Sequence, residues 1–348
     1  MKGDRDRRRE GHQGESMGVV EIVEPGGPDV LLLTEGARPV PGPGEVRVRV
    51  QVSGVNRADL LQRRGRYPPS PGSPENVPGL EFSGEVDQLG AGCRLRALGD
   101  RVMGIVGGGG YAEWVVASER ETIRVPDGLT SEEAGAIPEV FITAWDALFL
   151  QANLRAGETV LIHAAGSGVG TAALQLARAA GAMTVGTSRS PDKVNRAVDL
   201  GLDHGVLADS GRDWTEGVRE CLDGRGVDVV LDLVGASYLE GNQAILAEGG
   251  RWVVVGVPGG ARGEVDLGRL MAKRASIRGT VLRARPPEEK AVLARAFERV
   301  VVPLFEAGRL RPVIDRVLPV ASVREAHREM EENRSFGKLL LQWGESDG

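Results

Sequence analysis

Cysteine is nearly absent from this chain: Cys93 and Cys221 are the two in 348 residues. That excludes a disulfide scaffold and any zinc lobe built on four cysteines. Aromatic residues make up only 4%, too few for a surface that stacks nucleic-acid bases. A formal charge of −6 and a pI near 5.5 argue equally against a phosphate-backbone binder. Lysine stands only at Lys2, Lys193, Lys273, Lys290 and Lys338, and arginine carries the remaining positive charge. No run approaches the ~20 consecutive apolar residues of a transmembrane helix. The segment 1–16 lacks the apolar core of a signal peptide. It reads as a disordered extension before Met17, and the expected location is the cytoplasm, with neither membrane nor nucleic acid as partner.

Glycine, in contrast, is abundant: 50 of 348 residues, about twice the usual ~7%. No collagen period or low-complexity tract accompanies it, so the glycines belong to turns. The length favours two domains. From about 19 to 125 the texture is β-type, with alternating runs such as 45–52 between Pro/Gly-rich turns. Val46, Val48, Val50 and Val52 should face a core. Further strands are expected near 99–102 and over 110–116.

The pattern changes near Thr130, a plausible N-cap for a helix starting at Ser131. Continuous apolar strands at 157–163, 183–187, 227–234 and 251–256 then alternate with helices at 171–180 and 192–200. Such alternation implies a parallel sheet of about six strands, covered on both faces. Beyond Arg285 the expected elements are a long helix (288–307), a strand (312–318), a short helix (323–333) and a closing strand (338–342). These should return to the first domain. The domains are therefore read as 17–138 with 285–348, β-rich, and 139–284, a Rossmann-type doubly wound unit.

The most informative motif runs from strand into helix: Leu161-Ile162-His163-Ala164-Ala165-Gly166-Ser167-Gly168-Val169-Gly170. Small residues at such a turn let a pyrophosphate approach the helix N-terminus, where amides and dipole favour anions. The second strand ends Gly186-Thr187-Ser188-Arg189 with no carboxylate at its tip. NAD sites usually place an acid there for the ribose 2′-hydroxyl. Arg189 and Lys193, with Ser188, suit a 2′-phosphate instead, so NADPH is the expected cofactor.

Together with Ser53-Gly54-Val55-Asn56-Arg57-Ala58-Asp59-Leu60, Pro78-Gly79-Leu80-Glu81-Phe82-Ser83-Gly84, Gly99-Asp100-Arg101-Val102, Ile137-Pro138, Ala326-His327 and Gly337-Lys338, this loop resembles the zinc-free quinone oxidoreductase (zeta-crystallin-like) branch of the medium-chain dehydrogenase/reductase superfamily. The resemblance covers nearly all of 17–343. It implies a GroES-like catalytic domain interrupted by a Rossmann domain, an α/β fold with the cofactor between them. Zinc enzymes of the superfamily carry a cysteine where this chain has Ser53 or Asn56, and a histidine where it has Leu80. The histidines His12, His163, His204 and His327 are read as lying on the N-terminal arm, on the strand before the glycine loop, and on two peripheral segments, so no metal site is expected.

The resemblance further implies that Asn56 and Asp59 lie beside the nicotinamide and that Tyr67 lines the substrate cleft. It implies cofactor contacts from Thr143, Ser167, Gly168, Val169, Gly170, Gly186, Ser188, Arg189, Lys193, Gly256 and Lys338. Tyr67, or a water held by Asn56 and Asp59, is the expected proton donor. Tyr67 sits in a loop with Pro68, Pro69 and Pro71, and packing there is the alternative role. The expected activity is hydride transfer from NADPH to quinones in a homodimer paired through the strand at 276–282. The alternatives are reduction of enones, 2-alkenals or enoyl thioesters, and a non-enzymatic NADPH-binding structural or RNA-binding role.

Overall fold

The computed structural model describes residues 15–209 and 213–344. Most of the expected N-terminal extension lies outside the described residues. Its last residue, Ser16, differs from expectation: it opens the strand Ser16–Ile22, paired antiparallel with Leu31–Ala37.

The β-rich part is a sheet of seven strands. Its spine is Glu45–Gly54, flanked by Glu81–Leu89 and Trp114–Ser118. The alternating valines behave as their period requires, with Val46, Val48, Val50 and Val52 all buried. The closing strand Lys338–Gln342 pairs antiparallel with the far end of this spine, and Ile314–Pro319 pairs parallel with Lys338–Gln342. The C-terminal segment thus completes the first sheet.

Between them lies a second sheet of six parallel strands, ordered His204–Leu207, Met183–Ser188, Thr159–Ile162, Val227–Asp232, Leu246–Val254 and Ser276–Gly279. In chain order this is 3-2-1-4-5-6, the doubly wound arrangement. The order reverses between Thr159–Ile162 and Val227–Asp232, and the glycine loop leaves the first of these. A crevice at such a switch point is where open α/β sheets bind ligands.

Two sequence expectations fail for local reasons. The helix expected over 288–307 divides into Pro287–Val300 and Val302–Glu306. Pro303 has no amide to continue the ladder, and its ring crowds the preceding turn. The strand expected over 110–116 starts only at Trp114. The amides of Gly110 and Tyr111 are taken instead by the carbonyls of Gly79 and Pro78.

Helix Pro287–Val300 joins the two sheets. Phe297 is fully buried, edge-on to Trp145 at 6.0 Å, while Glu298 binds Arg96 and the amide of Arg124 on the β-rich side. Truncation of Phe297 to alanine should cost about 3–5 kcal/mol, read as a lowered urea midpoint. An unchanged midpoint would contradict this packing.

Candidate active site

The strand Thr159–Ile162 turns into the helix Gly168–Ala179 through Ala164, whose φ of 50° is in the left-handed region. Ser167 caps the helix, its Oγ accepting from the Gly170 amide at 3.1 Å. A side chain at Gly170 would lie 2.4 Å from the Ala164 carbonyl oxygen, so this glycine is required for helix-on-strand packing. Among the described residues the Val169 amide finds no acceptor. A narrow turn, a helix start and a free amide together fit a pyrophosphate. Gly186 is buried beneath the loop, where an added Cβ would sit 2.9 Å from that of Ala165. Gly256 follows strand Leu246–Val254 and lies half-buried beside the switch point.

At the outer end of the crevice Ser188 is buried and Arg189 exposed. Lys193 is engaged elsewhere: its ammonium donates to the carbonyls of Asn333 and Ser335, both at 2.6 Å. That contact belongs to a wider seam. The Gly337 amide donates to the Gly166 carbonyl at 3.0 Å, and Ser167 and Gly337 form a β-bridge. The C-terminal segment therefore lies directly against the glycine loop.

At the inner end the central feature is a buried ion pair. Lys338 Nζ donates to Glu81 Oε1 at 2.5 Å, to Asn56 Oδ1 at 2.8 Å and to the Val55 carbonyl at 2.8 Å. Asn56 returns a hydrogen bond from Nδ2 to Glu81 Oε1 at 2.8 Å. The other Glu81 oxygen accepts the Glu139 amide at 2.8 Å. Glu139 belongs to the helix Pro138–Trp145 that also carries Thr143, which is buried. Lys338, Asn56 and Thr143 therefore gather near the glycine loop. Glu81 and Glu139 were not expected from the sequence, because only the fold brings them to Lys338.

Asp59 is fully enclosed. It accepts hydrogen bonds from the Asn56 amide (2.8 Å), the Tyr111 hydroxyl (3.1 Å) and the Gly79 amide (3.3 Å). Its carboxylate is thus committed to the start of helix Arg57–Arg63 and not offered to the cleft, a correction to its expected place beside the nicotinamide. Burial raises its pKa to about 6, against the hydrogen bonds and the Lys338 charge that lower it. Behind it stands His327, a correction to its expected peripheral place. Arg63 donates to His327 Nδ1 at 3.1 Å, and Nε2 meets the Tyr111 hydroxyl at 3.2 Å. An arginine donating to Nδ1 fixes the proton on Nε2, which points at the Tyr111 oxygen, so the Tyr111 hydroxyl donates its own hydrogen bond to Asp59. Burial, with the Arg63 charge second, depresses His327 to about 3.

Tyr67 lies under the Arg283 guanidinium, 4.6 Å from its ring centroid. Arg283 also donates to the Gly107 carbonyl (2.9 Å) and to Gln62 Oε1 (2.8 Å). Burial raises the Tyr67 pKa above its ordinary value, so the phenol keeps its proton at neutral pH. His163, expected on the strand before the glycine loop, directly follows that strand; it is buried between Thr187 Oγ1 (2.8 Å) and Asn242 Oδ1 (2.7 Å), and burial keeps it neutral.

Two family models match the chain: "Alcohol dehydrogenase GroES-like domain" over residues 42–127 and "Zinc-binding dehydrogenase" over residues 168–298. The quinone oxidoreductase of Sus scrofa is 32% identical over 330 residues, spanning 93% of this chain and 97% of that one. A solved structure named as an NAD-dependent alcohol dehydrogenase is 36% identical, with TM-score 0.84, covering 94% of this chain and 100% of that one. The CurK enoyl reductase structure is 26% identical, with TM-score 0.80, covering 94% and 99%.

The residues at the inner end do not suit the zinc named in one of these descriptions. Leu80 is buried in the core. Ser53 Oγ donates to the Gly110 carbonyl and accepts from Trp343 Nε1. Among the described residues no three His, Cys, Asp or Glu side chains gather as a metal site.

The depressed His327 pKa makes the stability of the fold depend on pH. On unfolding it returns from about 3 to about 6.5, so below pH ~6.5 the unfolded chain binds the extra proton. Stability from this group is present above about 6.5 and is lost as pH falls, by roughly 2 kcal/mol at pH 5. Asp59, raised rather than depressed, works in the opposite direction. His327→Gln should therefore lose about 2 kcal/mol less than wild type between pH 7 and 5, measured by urea unfolding. Identical pH dependence in the two proteins would contradict a buried neutral imidazole.

Proposed function

The chain belongs to the medium-chain dehydrogenase/reductase superfamily, in its quinone oxidoreductase (zeta-crystallin-like) branch, and from that premise we propose that it is an NADPH-dependent, zinc-independent quinone reductase. The observation that carries this reading is the Lys338–Glu81–Asn56 cluster beside the glycine loop, where the resemblance puts Leu80, and Ser53 or Asn56, at the positions of the zinc enzymes' ligands. When bound, the reduced cofactor supplies a hydride. The turn at Ser167, Gly168, Val169 and Gly170 would hold its pyrophosphate, while Gly186 lets that turn pack down on its neighbouring strand and Gly256 leaves room along the crevice. Arg189 and Ser188 would receive the 2′-phosphate, joined by Lys193 on release from Asn333 and Ser335. Thr143, Asn56 and Lys338 would orient the nicotinamide end, and Tyr67 with Arg283 would line the acceptor side.

Quinones suit a site without a metal because their reduction delivers charge into a delocalised oxyanion, which needs less electrophilic help than a simple ketone. Reduction of activated double bonds is the second reading, supported by the likeness to an enoyl reductase structure. The domains are proposed as 17–138 with 285–348 and as 139–284, and the location as cytoplasmic. Among the described residues no helix is long and apolar enough to cross a membrane. A homodimer is also proposed. Strand Ser276–Gly279 ends the nucleotide sheet, with Leu267, Met271 and Val281 exposed nearby, and such an edge calls for cover.

Purified protein should oxidise NADPH with quinones faster than with 2-alkenals or enoyl thioesters; activity confined to the latter would favour the second reading, and none at all would contradict both. Arg189→Ala should weaken NADPH roughly tenfold to a hundredfold, the worth of a charge-assisted hydrogen bond, and leave NADH unaffected. An equal loss for both cofactors would overturn the 2′-phosphate assignment. Ile277→Asp should convert dimer to monomer by light scattering, whereas an unchanged mass would remove this edge from the interface.

A further inference from the structure

From Ala134 to Leu148 every residue is buried except Glu139, which is only half-buried. The one partly open residue in this otherwise enclosed stretch thus carries a carboxyl group. Its side chain makes no hydrogen bond among the described residues, although its own amide is fixed on Glu81 Oε2 at 2.8 Å. The next residue, Val140, reaches the glycine loop: its Cγ1 lies 2.8 Å from where a Cβ on Gly168 would stand, and Lys338 Cδ lies 3.1 Å from the same point. Glu139 is therefore set between the ion pair, the glycine loop and the Tyr67–Arg283 side of the cleft.

We propose that the Glu139 carboxyl group is the acid that protonates the acceptor oxygen during reduction. The proposal rests on the functional reading above and names a proton donor for that same site.

The surroundings of Glu139 favour its neutral form. Burial and the adjoining Glu81 carboxylate, with Asp59 beyond, push its pKa up to about 8 against the pull of Lys338 and Arg283. Tyr67 faces the same group and itself feels the Glu139 charge. The start of helix Pro138–Trp145 would favour an anion, but the Glu139 amide is already occupied by Glu81. Lys338 is likewise neutralised, since its ammonium donates to Glu81, Asn56 and Val55. A neutral carboxylic acid is thus held where an oxyanion would otherwise arise close to Glu81.

The quinone gains a hydride, with its two electrons, from the reduced nicotinamide, and negative charge collects on a quinone oxygen. The Glu139 O–H bond breaks and its proton passes to that oxygen, completing the hydroquinone. The Glu139 carboxylate left behind takes a proton from water before the next turnover. With an enone, the same proton is delivered to the enolate oxygen.

Comparison of wild type, Glu139→Gln and Glu139→Asp tests this. Wild-type kcat with a quinone should fall above pH about 8, as the acid ionises. Glu139→Gln should lower kcat by about 10²-fold or more and abolish that alkaline limb. NADPH binding, read by fluorescence titration, should be unchanged. Glu139→Asp should retain the alkaline limb at reduced rate, which keeps the test decisive if the glutamine variant fails to fold. Carboxyl infrared bands that titrate near pH 8 in the wild type and vanish in Glu139→Gln would support the assignment independently of turnover. Wild-type rate and an intact alkaline limb in Glu139→Gln would overturn the proposal while leaving the quinone reductase reading in place. Absence of turnover with quinones and enones alike in the wild type would instead overturn that reading, and this proposal with it.

Discussion

The site depends on one ion pair withdrawn from water, Lys338 on Glu81. All three donors of the ammonium are used, on Glu81, Asn56 and Val55, and the second Glu81 oxygen takes the Glu139 amide. Burying two charges costs several kcal/mol each unless such partners surround them. Here they do, and in meeting that demand the pair binds four segments of chain to one point. These are the end of strand Glu45–Gly54, the head of strand Glu81–Leu89, the first turn of helix Pro138–Trp145 and the start of the closing strand. Even the neighbouring glycine follows from it, since a Cβ on Gly54 would lie 2.2 Å from Glu81 Oε1. Loss of either partner would strand the other, a defect of about 3–5 kcal/mol.

From that point the chemistry of the cleft takes its shape. Gly337, adjacent to Lys338, binds Gly166 and so brings the C-terminal segment onto the glycine loop. Its φ of 89° and a would-be Cβ 2.3 Å from the Val313 carbonyl oxygen admit only glycine. Asn56, locked by the ion pair on one side, donates its amide to Asp59 on the other. Asp59 in turn anchors the chain through Tyr111 and His327 to Arg63. The mutual pairing of charges in this cluster leaves little for it to do as acid or base. In the proposed reaction it positions, and proton supply passes to the groups on the open side.

Much of this architecture was legible locally. The alternation at 45–52, the continuous apolar strands and the small-residue turn each reflect a period or a steric need confined to a few residues. They led to the correct fold class, and Leu80 already spoke against a histidine-ligated metal. What could not be read were pairings across long separations. Glu81 and Lys338 are 257 positions apart, and nothing near either one announces the other. His327 looked peripheral because it belongs to a polar helix, yet that helix turns its buried face, with Val323, Ala326 and His327, inward. Asp59 read as a cleft residue because its enclosure comes from Tyr111 and Gly79, well beyond its own helix. Glu139 carried no local signal, since its meaning lies in being the one residue of a buried stretch left partly open.

The proposed reaction is hydride transfer from NADPH to a quinone without a metal. Its most direct measurement is the single-turnover decay of nicotinamide absorbance when chelator-treated enzyme with bound NADPH is mixed with a quinone. Metal-free transfer should give a full-amplitude decay that slows when the transferred hydrogen is deuterium and is indifferent to added zinc. A decay that appears only after zinc is restored would contradict it.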